Sequence, residues 1–119
     1  MSSVTRIKQA FVFSAALSVG ALAFASDCGE APVAPELVDG ATVTMEEIVS
    51  NSEEVKAYIA EADKYLDCRE SIIPTEAFTN LDETAQADYR AANKVVLDAR
   101  NGIGDAFNAE VAAFKKANP

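Results

Sequence analysis

The sequence predicts an all-α protein: an antiparallel two-helix hairpin with a long second helix, bent near Gly102, and an extended, proline-containing N-terminal arm stapled to it by a disulfide. Three observations carry this expectation. A helix start signal stands at Thr44, two stretches repeat apolar residues in alternating four- and three-residue steps, and Pro74 separates them.

Residues 1–25 have the three parts of a secretory signal. Arg6 and Lys8 supply the charge, an apolar run extends from Ala10 to Phe24, and Ala23-Phe24-Ala25 has the small-x-small form of a cleavage site. An uncleaved anchor is the rival reading, but the run is short for a span of ~20 residues and carries Ser14, Ser18 and Gly20. Asp27 directly before Cys28 disfavours lipidation, which requires a small residue there. Cleavage after Ala25 leaves 94 residues with eight basic and nineteen acidic side chains, a charge of −11. Nucleic acid and anionic membrane surfaces recruit Lys and Arg, so this sign argues against both, and against a stable membrane anchor once the signal is gone. It favours solubility and a basic partner.

The arm, residues 26–43, contains Pro32, Pro35 and the turn signal Asp39-Gly40. Prolines spaced this way favour a polyproline-like path and disfavour helix. Val33, Leu37 and Val38 give the arm apolar groups to bury on its own domain; a proline-rich peptide-binding motif is the other reading.

The first helix is expected over residues 44–70. Thr44-Met45-Glu46-Glu47 is a capping box, with Val43 and Ile48 at the two positions of a hydrophobic staple. Ile48, Ser52, Val55, Ile59, Ala62 and Leu66 then share one face, widened by Tyr58 and Tyr65. Residues 71–79 form a connection, because a residue before proline avoids the helical region. Ile72, Ile73 and Phe78 are expected to fold that connection onto the end of the hairpin. The second helix, residues 80–117, takes Thr79 or Asn80 as its N-cap. Its stripe runs Ala85, Tyr89, Ala92, Val96, Ala99, Ile103 and Ala106, then Phe107, Val111 and Phe114. Asn101-Gly102-Ile103-Gly104 is its weak point, yet the apolar phase carries across, which favours one helix over two.

Two cysteines in an exported chain favour a Cys28–Cys68 disulfide, with unpaired or intermolecular thiols as the alternative. The bond is geometrically open to the arm. The helix covers ~36 Å between Thr44 and Cys68 at 1.5 Å per residue, and sixteen extended steps from Cys28 to Thr44 cover up to ~50 Å. Pro32, Pro35 and Leu37 should then lie against the first helix, as the third element that a thin core lacks.

The chain contains no histidine, which removes Ser-His-Asp and Cys-His pairs and histidine metal ligands. The carboxylates, among them Asp63, Asp67, Glu53, Glu54, Asp82, Glu83 and Asp88, form no calcium-loop pattern and read as solvated helix faces. No phosphate-binding glycine motif is present. No enzyme, metal or cofactor is therefore expected. Tyr58, Tyr65 and Tyr89 read as core and rim packing, with a small apolar ligand site as the alternative.

The order Cys28, Pro32-x-x-Pro35, Asp39-Gly40-Ala41, Thr44-x-x-Glu47, Tyr58, Tyr65-Leu66-x-Cys68 and Asp105-x-Phe107-Asn108-x-x-Val111-x-x-Phe114-Lys115 resembles uncharacterised small exported helical-hairpin proteins of Gram-negative bacteria. The resemblance implies a periplasmic hairpin and contributes no catalytic residues. The expected function is non-enzymatic: a periplasmic or secreted interaction protein whose coiled-coil-like apolar face docks a second copy or another envelope protein. The alternative is a carrier holding a lipid-like or aromatic molecule between the helices, near Tyr58, Tyr65, Tyr89 and Phe107.

Overall fold

A computed structural model of the chain describes residues 28–119. The signal expected over 1–25, and Ser26 and Asp27 of the arm, lie outside them. The described residues are mostly helical, with no strand among them. Three helices follow one another: α1 (Met45–Ile72), the one-turn α2 (Glu76–Thr79) and α3 (Glu83–Ala117).

The capping box forms as its residue types require. The Thr44 hydroxyl accepts from Glu47 N–H at 3.2 Å, and Glu47 Oε2 accepts from Thr44 N–H at 3.0 Å. The helix then buries Ile48, Val55, Tyr58, Ala62 and Leu66 along one side. It runs to Ile72, two residues beyond the expected end. Ile73 closes it by donating to Glu70 C=O, which lets the chain turn into Pro74.

The connection carries a helical turn of its own, because Thr75 caps α2 by accepting from Phe78 N–H at 3.3 Å, and this corrects the expected cap of the next helix. Neither Thr79 nor Asn80 caps the long helix. Asp82 does so, accepting from Ala85 N–H at 2.8 Å, since Thr79 and Asn80 are already used to finish α2. Phe78 is almost fully buried and meets the Tyr89 ring edge-on at 5.2 Å, while Ile72 and Ile73 are half-buried.

α3 continues without a break through Asn101–Gly104. Its contacts with α1 pair the end of one helix with the start of the other. Arg69 meets Tyr89 and Asn93, Asp63 meets Arg100, and a Cβ placed on Gly104 would lie 4.0 Å from Ile59. Those contacts stay in step because the four-three apolar spacing is the same on both helices.

Cys28 and Cys68 form a disulfide, with Cα atoms 5.7 Å apart. Gly29 follows with φ +80°, a conformation that costs glycine little. Further along, the buried Asn51 accepts from Val38 N–H at 3.0 Å and donates to Glu36 C=O at 2.9 Å. Pro32, Pro35, Leu37 and Val38 are half-buried, but Val33 is 88% exposed. The expectation that Val33 packs inward is therefore corrected: with three residues per turn, 32, 35 and 38 share a side that 33 does not.

At Asp39-Gly40 the chain turns. Thr42 N–H donates to Asp39 C=O at 3.0 Å, and Asp39 Oδ1 accepts from Ala41 N–H at 3.0 Å. Gly40 N–H donates to Glu110 Oε1 at 2.8 Å, and a Cβ on Gly40 would fall 1.9 Å from the Glu110 carbonyl oxygen. The turn thus rests on the backbone of α3 at a spot only glycine fits. Gly40→Ala is expected to destabilise the fold by about 2 kcal/mol or more, whereas Gly102→Ala, which meets open space in a helix, should stabilise it by up to about 1 kcal/mol. Urea unfolding of both variants measures the contrast. Removing the disulfide, which links residues 40 apart, should cost about 4 kcal/mol. Denaturation of the Cys28→Ser/Cys68→Ser double variant checks that value.

Candidate functional site

Among the described residues, three clefts border the long helices. The first lies where the end of α1 meets the start of α3. Leu66, Glu70 and Ile73 face Arg90, Asn93, Lys94 and Leu97 across a volume of about 250 Å³. Beside it stands Arg69, 6% exposed although it is charged. Its Nε donates to Asn93 Oδ1, and its guanidinium carbon lies 3.9 Å from the Tyr89 ring centre and 5.6 Å from that of Tyr65. The ring quadrupoles favour a cation there. Tyr89 also donates its hydroxyl to Arg69 C=O at 3.0 Å, satisfying a carbonyl of the last turn of α1. Among the described residues no carboxylate pairs with Arg69. Asn93 is itself 6% exposed, and its Nδ2 is buried without a hydrogen-bond partner.

The second cleft borders the disulfide and is lined by Gly29, Glu30, Pro32, Glu61, Lys64 and Tyr65. The third lies at the opposite end of the helix pair. Met45, Ile48, Val49 and Ser52 of α1 face Phe107, Val111 and Phe114 of α3 across about 350 Å³, with Lys115 and Asn118 at its edge. It is the apolar one of the three. Met45 remains 62% exposed and Val49 50% exposed.

The residues expected to form a ligand or partner face are distributed among these places. Tyr65 and Tyr89 come together about the Arg69 guanidinium. Tyr58 is buried on the apolar side of α1, where desolvation raises its hydroxyl pKa. Phe107 lines the third cleft, at the other end from Tyr65. Sequence reasoning missed Asn51, Arg69 and Asn93. Arg69 carries the stripe one step beyond Leu66, and Asn51 and Asn93 stand one residue from its positions Ser52 and Ala92, but a polar residue there does not by itself announce burial.

No metal-binding cluster of three or more carboxylate or cysteine side chains occurs among the described residues, and none of their helices is long and apolar enough to cross a membrane. A scan against protein-family models found no match, and neither did searches of curated proteins and of solved structures.

Two carboxylates, the exposed Glu47 and the half-buried Asp63, are tuned by local partners. Hydrogen bonds from Thr44 backbone and side chain lower the pKa of Glu47, and the Arg100 fork, at 2.8 and 3.0 Å, lowers that of Asp63. A depressed folded-state pKa contributes stability that is complete above the unfolded value, about 4 for a carboxylate, and is lost as pH falls through the folded value. The urea midpoint should therefore decline on acidification from about pH 4 downward. Arg100→Gln should return Asp63 to the ordinary carboxylate range, which a carbon-detected NMR titration reads directly.

Proposed function

We propose that the chain is a non-enzymatic interaction protein of the bacterial periplasm. On this reading it is an antiparallel two-helix hairpin with an extended arm as its third element, and it docks a second copy of itself through its open apolar face. The disulfide supports a non-cytoplasmic location, since such bonds persist in oxidising compartments.

The observation that carries the docking proposal is the apolar cleft between the start of α1 and the end of α3. It leaves Met45 and Val49 half or more exposed on a face whose neighbours, Ile48 and Phe114, are core. Two copies related by a two-fold axis would lay these stripes together as a four-helix arrangement, the commonest way for helix pairs to cover their open faces.

Sedimentation velocity at micromolar concentration tests this. A dimer is expected, and Val49→Glu, at a half-exposed position that tolerates charge in the monomer, should shift it to monomer while the circular dichroism spectrum is unchanged. A wild-type chain that sediments as a monomer across the concentration range, or a dimer that Val49→Glu leaves intact, would overturn the proposal.

A further inference from the structure

The cleft at the junction of α1 and α3 holds a polar arrangement that hairpin packing does not require. Arg69 is a buried cation with no carboxylate partner among the described residues. Its Nε hydrogen bond fixes the Asn93 side chain, because a donor facing Asn93 can be met only by Oδ1. The amide nitrogen is thereby turned away from Arg69 and left without an acceptor. A buried donor with no partner is costly, and such groups call for an explanation. Asn93 also lines the cleft, and Arg90 and Lys94 stand on the same wall. Arg90 has no ion pair among the described residues; Lys94 is held by Asp98 at 2.8 Å. Glu70 is the one carboxylate lining the cleft, whereas Leu66, Ile73 and Leu97 make the rest of it apolar.

We propose that this cleft binds a linear aliphatic carboxylate, with the headgroup accepting from Asn93 Nδ2 and facing Arg90, and the chain lying on Leu66, Ile73 and Leu97. The ligand supplies what the cleft residues leave unmet: an acceptor for the orphaned amide, on the wall where Arg90 and Lys94 outnumber the single carboxylate, Glu70. A volume of about 250 Å³ suits a medium-length chain rather than a long one. Lys94 and Leu97, which line the cleft with Asn93, are exposed and free to change rotamer on the picosecond-to-nanosecond timescale as a ligand enters. The site lies at the opposite end of the helices from the docking face and does not depend on it.

The probe is sodium octanoate, added to the oxidised protein and followed by calorimetry and by ¹⁵N–¹H NMR of the side-chain amides. Saturable binding is expected, with the Asn93 amide pair shifting most. Octanol and octylammonium, which keep the chain but lose the anion, should bind at least tenfold more weakly. Arg90→Gln, at an exposed residue whose guanidinium lies 5.4 Å from the Phe78 ring centre, should weaken octanoate by about tenfold while the circular dichroism spectrum shows the fold retained. Asn93→Asp places a carboxylate beside Arg69 from within; it should abolish octanoate binding while raising the melting temperature. Equal binding of octanoate and octanol, no movement of the Asn93 amide at saturation, or full octanoate affinity in folded Arg90→Gln and Asn93→Asp would each overturn the proposal.

Discussion

The structure depends on the tether between Cys28 and Cys68, because a pair of helices alone has no third layer with which to close a core. The bond fixes one end of the arm near the end of α1, and Asn51 fixes the arm again near the start of that helix, at Glu36 and Val38. Seventeen helical residues separate Asn51 from Cys68, about 25 Å. The ten residues from Cys28 to Val38 reach about 31 Å along a polyproline path but only about 15 Å as a helix. The proposed extended arm follows from that mismatch, and Pro32 and Pro35 make it inexpensive by excluding the helical alternative before folding begins. Gly40 then completes the circuit, bringing the same strand of chain onto the backbone of α3 at Glu110. One covalent bond, one amide side chain and one missing Cβ thus hold three segments in register.

Inside that frame, polar groups sit where a purely apolar stripe would have served. Asn51 is fully used, with both ends of its amide on the arm backbone and a further bond to Glu54 at 3.0 Å. An amide that must match two backbone groups admits one register of arm against helix, whereas a leucine there would accept several. Arg69 and Asn93 perform the same selection between the two long helices. A one-residue slip of α3 would separate guanidinium from amide and take the Tyr89 ring from over the cation. Hydrophobic spacing brings the helices together; the polar groups decide which residues meet.

This division explains which parts of the structure were legible in the sequence. The Thr44–Glu47 cap was readable because all of its partners lie within four residues, and the long reach of α3 was readable because its apolar phase never slips across Asn101–Gly104. The cap of α3 was misplaced because Thr79, Asn80 and Asp82 are all competent N-caps, and only the one-turn helix α2 consumes the first two. Val33 was misassigned because hydrophobicity alone does not state the phase of a three-residue path. Arg69 was the least accessible of all. Nothing local marks an arginine in the last turn of a helix for burial, since most sit there exposed, facing the helix dipole.

Arg69 is 6% exposed at the end of α1. Its charge is compensated by dipoles and quadrupoles instead of by a carboxylate: the negative end of α1, the faces of Tyr89 and Tyr65, and the Asn93 carbonyl oxygen. Such groups stabilise a cation without cancelling it. The protein otherwise carries a large acidic excess, so most of its surface repels anions. Near the α1–α3 junction cations outnumber carboxylates: Arg90 and Lys94 line the cleft against the single Glu70, and Arg69 stands unpaired by any carboxylate behind Asn93. An apolar groove on this molecule would by itself take any hydrophobic chain; the residual field of a buried, dipole-compensated cation is what makes this one select a chain that ends in a negative charge.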